Sequence, residues 1–398
     1  MNDDSGRKRR PASYLRYGLL ALAAFLVLSL GFALIPRESP APAVPTFSEQ
    51  ARAAALAETL DMRTASQQLA NGSSGDRRQL FSHTVTLLTT QARALLLPGA
   101  GARSTAGQSG SAGPSATASS GAAPSVTPTS GTATLPALVA TLSKSGKARL
   151  VAAERADGGM ARLLAAVGTA QLLQATTLAQ AAGTPPPALQ APVATQRNAA
   201  TACSVATPSG SSTGSSGSST GSQNGAPSGT GGQPAPAADP ADNATLAAAL
   251  DRVVRTEVET VYGYQVALTR LDGSAADQAA ALLATHETLV GQAEAYTRVH
   301  CVLVPPREPG YTLGSSFLQK PAAGLASLES GTLPVYGDLV ALSDGETRRW
   351  AVSSLVAAAQ RTMRWGSDPG PVPGIVLDTA LLPDLPRPAA QSSSQTDG

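Results

Sequence analysis

The residues best suited to chemistry lie in the C-terminal third of the chain. Glu257 sits in an apolar seam with Leu250, Val254, Val261, Tyr264, Leu268 and Leu271. A carboxylate there needs a partner, because burying an unpaired charge is costly. His286 shares a stripe with Leu282, Leu289, Ala293, Tyr296 and His300, and Glu329 shares one with Leu325, Tyr336 and Val340. Glu257, His286 and Glu329 therefore face a common helical interior, a donor set able to hold one iron, manganese or zinc ion. The same residues also suit purely structural contacts: an ion pair of Glu257 with Arg361 or Arg364, and a hydrogen-bonded core histidine. Absence of a cofactor is the first reading, and a single metal ion the alternative. Tyr262, Tyr264, Tyr296, Tyr311 and Tyr336 add hydroxyls to this region. Packing with a satisfied hydroxyl accounts for them, and no signal in the sequence favours redox use. No phosphate-binding glycine loop, nucleophile elbow or paired-cysteine redox motif occurs, and no residue is assigned a catalytic role.

Four helices must position these groups. The first is expected over Asn243–Leu271, ended by Asp272-Gly273, and the second from Ser274 and Asp277 to Cys301. Folding one on the other about Gly273 brings Glu257 within about one turn of His286. Pro305-Pro306 and Pro309-Gly310 end the second helix, and an irregular stretch leads to a third at Pro321–Leu342. Pro334 should kink or break that helix. Ser343 and Glu346 read as a capping box opening the fourth, which runs to Trp365 before the DPGPVPGI segment.

The run RTEVETVYGYQVALTRL (Arg255–Leu271) resembles the first helix of a bacterial ferritin-like family known as domain of unknown function 4439. Pro309-Gly310-Tyr311-Thr312-Leu313, Leu328-Glu329, Arg349, Trp365 and Pro373-Gly374-Ile375 follow in the family's order, so the similarity spans roughly Ala241–Ile375. The resemblance implies a four-helix ferritin-like bundle, in a family without an assigned activity. A di-iron centre in such a bundle takes a Glu from each of two helices and Glu-x-x-His from each of the other two. Here Leu283 stands where a Glu should precede His286, and Arg349 stands three residues after Glu346 where a His should be. Ser353–Gln360, the middle of the fourth helix, has neither carboxylate nor imidazole.

The rest of the chain concerns address and tether. Tyr17–Ile35 is uncharged and close to the ~20 residues that span a bilayer. Arg7, Lys8, Arg9, Arg10 and Arg16 precede it, which places residues 1–16 in the cytoplasm and the bulk outside the plasma membrane. A cleaved signal peptide is the other reading, with Ala41-Pro42-Ala43 as its site. The flanking prolines and the distance from the apolar run count against it. Residues 46–182 read as an N-terminal helical bundle. Thr46 and Glu49 form a capping box for a helix to about Ala70. A second helix, Asp76–Leu97, carries the seam Phe81, Val85, Leu88, Ala92 and Leu95, with His83 off it on the solvated side. A third and fourth follow at Leu135–Arg155 and Met160–Ala182. The Gly/Ser-rich tracts 99–132 and 185–241, and the tail 387–398, read as disordered.

The expected architecture is thus all-α: one transmembrane helix, then two antiparallel bundles joined by linkers, the second (242–386) ferritin-like. A net charge of +2 with 14% charged residues leaves no nucleic-acid footprint. In an exported chain the two cysteines, Cys203 and Cys301, suit one disulfide, with two unpaired thiols as the plain alternative. The functional expectation is a non-catalytic envelope protein that binds or scaffolds a partner protein, the alternative being a metal-binding or iron-handling protein with a reduced site.

Overall fold

In a computed structural model of the protein, residues 44–96, 133–188 and 245–386 are described, together with Leu22 and Phe25 as isolated helical positions. The expected anchor Tyr17–Ile35 (those two residues apart), the tract 99–132, most of 185–241 and the tail 387–398 lie outside the described residues. No described helix is long and apolar enough to cross a membrane. The chain divides into Met1–Pro45 and Thr46–Gly398, and all the helices considered below belong to the second unit.

The described residues form nine α-helices: α1 (Phe47–Asn71), α2 (Gly75–Leu95), α3 (Leu135–Ala153), α4 (Gly158–Ala181), α5 (Leu246–Leu268), α6 (Gly273–Val299), α7 (Ser315–Gln319), α8 (Pro321–Leu342) and α9 (Gly345–Arg364). A 3-10 turn follows at Thr379–Leu381. The α1 capping box is present: the Thr46 amide donates to Glu49 Oε2 at 2.7 Å, and the Glu49 amide to Thr46 Oγ1 at 3.3 Å. Thr134, Asp157 and Thr245 cap α3, α4 and α5 through their side chains. Neither a break at Pro334 nor a capping box at Ser343 is found. Helix α8 runs unbroken through Pro334. The capping box at Ser343 does not form: its backbone belongs to the end of α8, where its hydroxyl donates to the Leu339 carbonyl, and Asp344 is the N-cap of α9.

Helix pairs joined by short links pack together as expected, α1 with α2, α3 with α4, α5 with α6 and α8 with α9. What differs is the relation between the halves. Expected as two tethered bundles, they form one compact unit with a shared core. The reason is α4. Its residues from Leu164 to Ala175 are all buried, on every side of the helix, and an uncharged, largely apolar helix is covered all round. One side packs on α3 and the other on α8 and α9. Its single charge, Arg162, donates to the Gly374 carbonyl at 2.6 and 3.0 Å and pairs with Asp338 at 2.7 Å. The segment after α9 ties the halves again. Gln91 donates to the Pro371 carbonyl at 2.9 Å, and Arg93 donates to the carbonyls of Leu382 at 2.6 Å and Pro383 at 3.0 Å.

Candidate functional site: a buried Glu–His–Glu–Arg network

Helices α5, α6, α8 and α9 each contribute one acidic or basic side chain to a single buried network. Glu257 comes from α5, His286 from α6, Glu329 from α8 and Arg361 from α9, and none is more than 4% exposed. His286 is the hub. Its Nδ1 lies 2.7 Å from Glu257 Oε2, and its Nε2 lies 2.8 Å from Glu329 Oε1. Arg361 Nε donates to Glu329 Oε2 at 2.8 Å. Tyr264 donates its phenol to Glu329 Oε1 and Tyr336 donates to Glu257 Oε1, both at 2.6 Å. The Trp365 indole N–H donates in turn to the Tyr264 hydroxyl at 2.7 Å.

The sequence-derived trio Glu257, His286 and Glu329 therefore does converge. The expected partner of Glu257 is corrected: Arg361 hydrogen-bonds Glu329, and Arg364 is exposed at the end of α9. Arg361 was legible as a member of the site, since Trp350, Ser354, Ala358, Arg361 and Trp365 recur at steps of three and four along one face of α9. Which carboxylate it meets depends on how α8 and α9 are staggered. Glu346 and Arg349 form an ion pair with each other at 3.8 Å in the first turn and a half of α9.

With both carboxylates ionised, each ring nitrogen of His286 must carry a proton, so the ring is an imidazolium. Burial alone would lower the His286 pKa, but the hydrogen bonds it donates to Glu257 and Glu329, and their charges, outweigh it and raise it. Burial would raise that of Glu329, and the hydrogen bond from His286 with the charge of Arg361 reverses it to a net lowering. Arg361, disfavoured by burial, is held charged by Glu329 and Glu257. Two carboxylates thus face one imidazolium and one guanidinium, and the buried site is formally neutral.

These shifts have opposite signs in a stability profile. A raised His286 pKa contributes stability in full below its ordinary value of 6.5 and loses it as pH rises through the folded value. A lowered Glu329 pKa contributes in full above 4.5 and loses it as pH falls. The network should stabilise most between those values. In thermal unfolding series, His286→Gln should flatten the decline above pH 6.5 relative to the parent; identical slopes would contradict the imidazolium assignment.

The arrangement does not suit a metal ion as it stands. A ligating imidazole must offer a lone pair, and both nitrogens of His286 are engaged by carboxylates. Those nitrogens lie on separate edges of the ring, so Glu257 and Glu329 do not meet at one point. The guanidinium beside Glu329 adds positive charge where a cation would sit. Among the described residues no group of three or more His, Cys, Asp or Glu side chains is arranged to hold a metal.

Cys301 follows the α6 C-cap His300 with φ 56°, the only non-glycine residue with positive φ among those described, and it is disulfide-bonded. Cys203, its expected partner, lies outside the described residues. His83 is exposed on α2, 3.8 Å from Asp368.

Residues 249–376 match the model of a family described as a domain of unknown function (DUF4439). The match begins within α5 and takes in all four residues of the network. No curated protein and no solved structure matches the chain.

Proposed function

We propose that the protein is a membrane-anchored extracytoplasmic binding or scaffold protein without catalytic activity, whose C-terminal helices are a ferritin-like bundle with ion pairs in place of a metal centre. One observation carries this reading: both nitrogens of His286 are taken by Glu257 and Glu329, with Arg361 closing the charge balance. A donor set consumed by its own members is a structural core, and such cores can serve a unique packing as well as stability. The broken Glu-x-x-His pattern at Leu283 and Arg349 agrees with it. The envelope address rests on the uncharged run Tyr17–Ile35 behind its basic N-terminal flank. A partner protein in the envelope is the ligand class that suits a tethered body with no substrate chemistry.

The second reading, a protein holding one iron, manganese or zinc ion, rests on the convergence of Glu257, His286 and Glu329. Elemental analysis of the detergent-solubilised full chain, purified with these metals supplied, separates the two. The structural reading expects no stoichiometric metal. One ion per chain, lost in His286→Ala, would replace it with the metal reading. For the address, an enzyme reporter active only outside the cytoplasm, fused at the C-terminus, should be active. Activity of a cytoplasm-only reporter there would refute the orientation.

A further inference from the structure

The chain has only two tryptophans and seven tyrosines. Both tryptophans and three of the tyrosines gather around the Glu–His–Glu–Arg network. Trp365 lies 6.2 Å from Tyr264 between ring centroids, and Tyr264 lies 5.0 Å from His286. Tyr336 meets Trp350 edge-on at 5.9 Å, and Tyr296 stacks on Trp350 at 4.8 Å. Trp365 is partly exposed, while the other members of this aromatic set are buried. Phenylalanine or leucine would fill the same space without a polar group to satisfy. Instead, two buried phenols aim their protons at carboxylate oxygens 2.6 Å away.

That geometry meets a specific chemical need. An oxidised phenol is a very strong acid, so a buried tyrosine gives up an electron readily only where a base takes its proton in the same event. A neighbouring indole in contact supplies the electronic connection. We propose that Trp365 and Tyr264 form a proton-coupled one-electron relay, with Glu329 as the proton acceptor.

The oxidant is a one-electron oxidant of the oxygen-derived radical class reaching partly exposed Trp365. It takes one electron from the indole and is itself reduced by one electron. Tyr264 returns an electron to the indole radical cation; its O–H bond breaks, and the proton moves onto Glu329 Oε1. Arg361 keeps its bond to Oε2 of the same carboxyl. The products are neutral Trp365, a Tyr264 phenoxyl radical and protonated Glu329. One electron from a thiol-type reductant, with the proton returning from Glu329, restores the phenol. Burial and the charge of Glu329 raise the Tyr264 pKa strongly, so the resting phenol keeps its proton.

The test uses azide radicals generated by pulse radiolysis on the full chain in detergent. These attack partly exposed Trp365, while Trp350 is buried. The expected result is first-order conversion of an indolyl into a phenoxyl radical, independent of protein concentration and slower in deuterated water. Tyr264→Phe should abolish it. Conversion that persists unchanged in Tyr264→Phe, or indolyl decay that is only bimolecular, overturns the relay. If Tyr264→Phe does not fold, Trp365→Phe decides, because it leaves the phenol–Glu329 bond in place. Loss of the phenoxyl signal supports the relay, and an unchanged signal refutes it.

Discussion

Arg361→Met should lower the unfolding free energy by about 3–5 kcal/mol, the cost of breaking a buried ion pair by removing one partner. The substitution keeps an unbranched apolar stem in α9 and removes only the charge and its hydrogen bond to Glu329. Two carboxylates would then face a single imidazolium in an interior where Glu257, His286 and Glu329 are at most 1% exposed. The loss exceeds the worth of one hydrogen bond because the charge left on Glu329 Oε2 has no water to turn to. Glu329→Gln added to Arg361→Met should recover part of the loss by restoring neutrality. Urea unfolding followed by circular dichroism gives both values and, from the four-member cycle, their coupling. A midpoint unmoved by Arg361→Met would mean that the network is not buried as described.

The second large effect lies at the seam between the halves. Gly158 opens α4 against the end of α8, and a Cβ placed there would stand 2.2 Å from the backbone oxygen of Ala341. Backbone cannot swing aside as a side-chain tip can, so the helices must separate or bend. Gly158→Ala should cost about 1–3 kcal/mol through overpacking. Its neighbour is the control, since a Cβ on Gly159 meets nothing within 4 Å. Gly159→Ala should be neutral or slightly stabilising, because alanine is the better helix former. Equal effects of the two substitutions would refute the close approach of α4 and α8. Limited proteolysis adds a readout, as Gly158→Ala should expose sites along α4 that the parent protects.

The helices themselves were legible because their signals are local. Thr46 and Glu49 announce a start that a reciprocal pair of hydrogen bonds then makes, and Asp272-Gly273 marks the turn between α5 and α6. Where a local signal had two outlets, it misled. Ser343 can cap the helix after it or close the helix before it, and the Leu339 carbonyl takes both its amide and its hydroxyl. Pro334 removes one amide, yet α8 continues through it, packed against α4, α5 and α9. The resemblance in the C-terminal region anticipated the family match over residues 249–376. The shared core had a visible cause as well. From Leu163 to Ala182 the chain carries no charge, which is too apolar a surface for the wall of a small independent bundle.

What the sequence determined alone about the site is its membership: periodicity sent Glu257, His286 and Glu329 inward, since side chains three and four apart share a helix face. It left open whether those groups would aim at a common ion or at one another. Their mutual placement came only from the tertiary structure, because lone-pair direction and proton placement depend on the rotation and stagger of four helices, set by packing of residues distant in the chain. Those packings put a carboxylate at each nitrogen of His286 and the Arg361 guanidinium behind Glu329. Residues that along the chain suited either structural contacts or one metal ion stand, in three dimensions, as one another's hydrogen-bonded counterions.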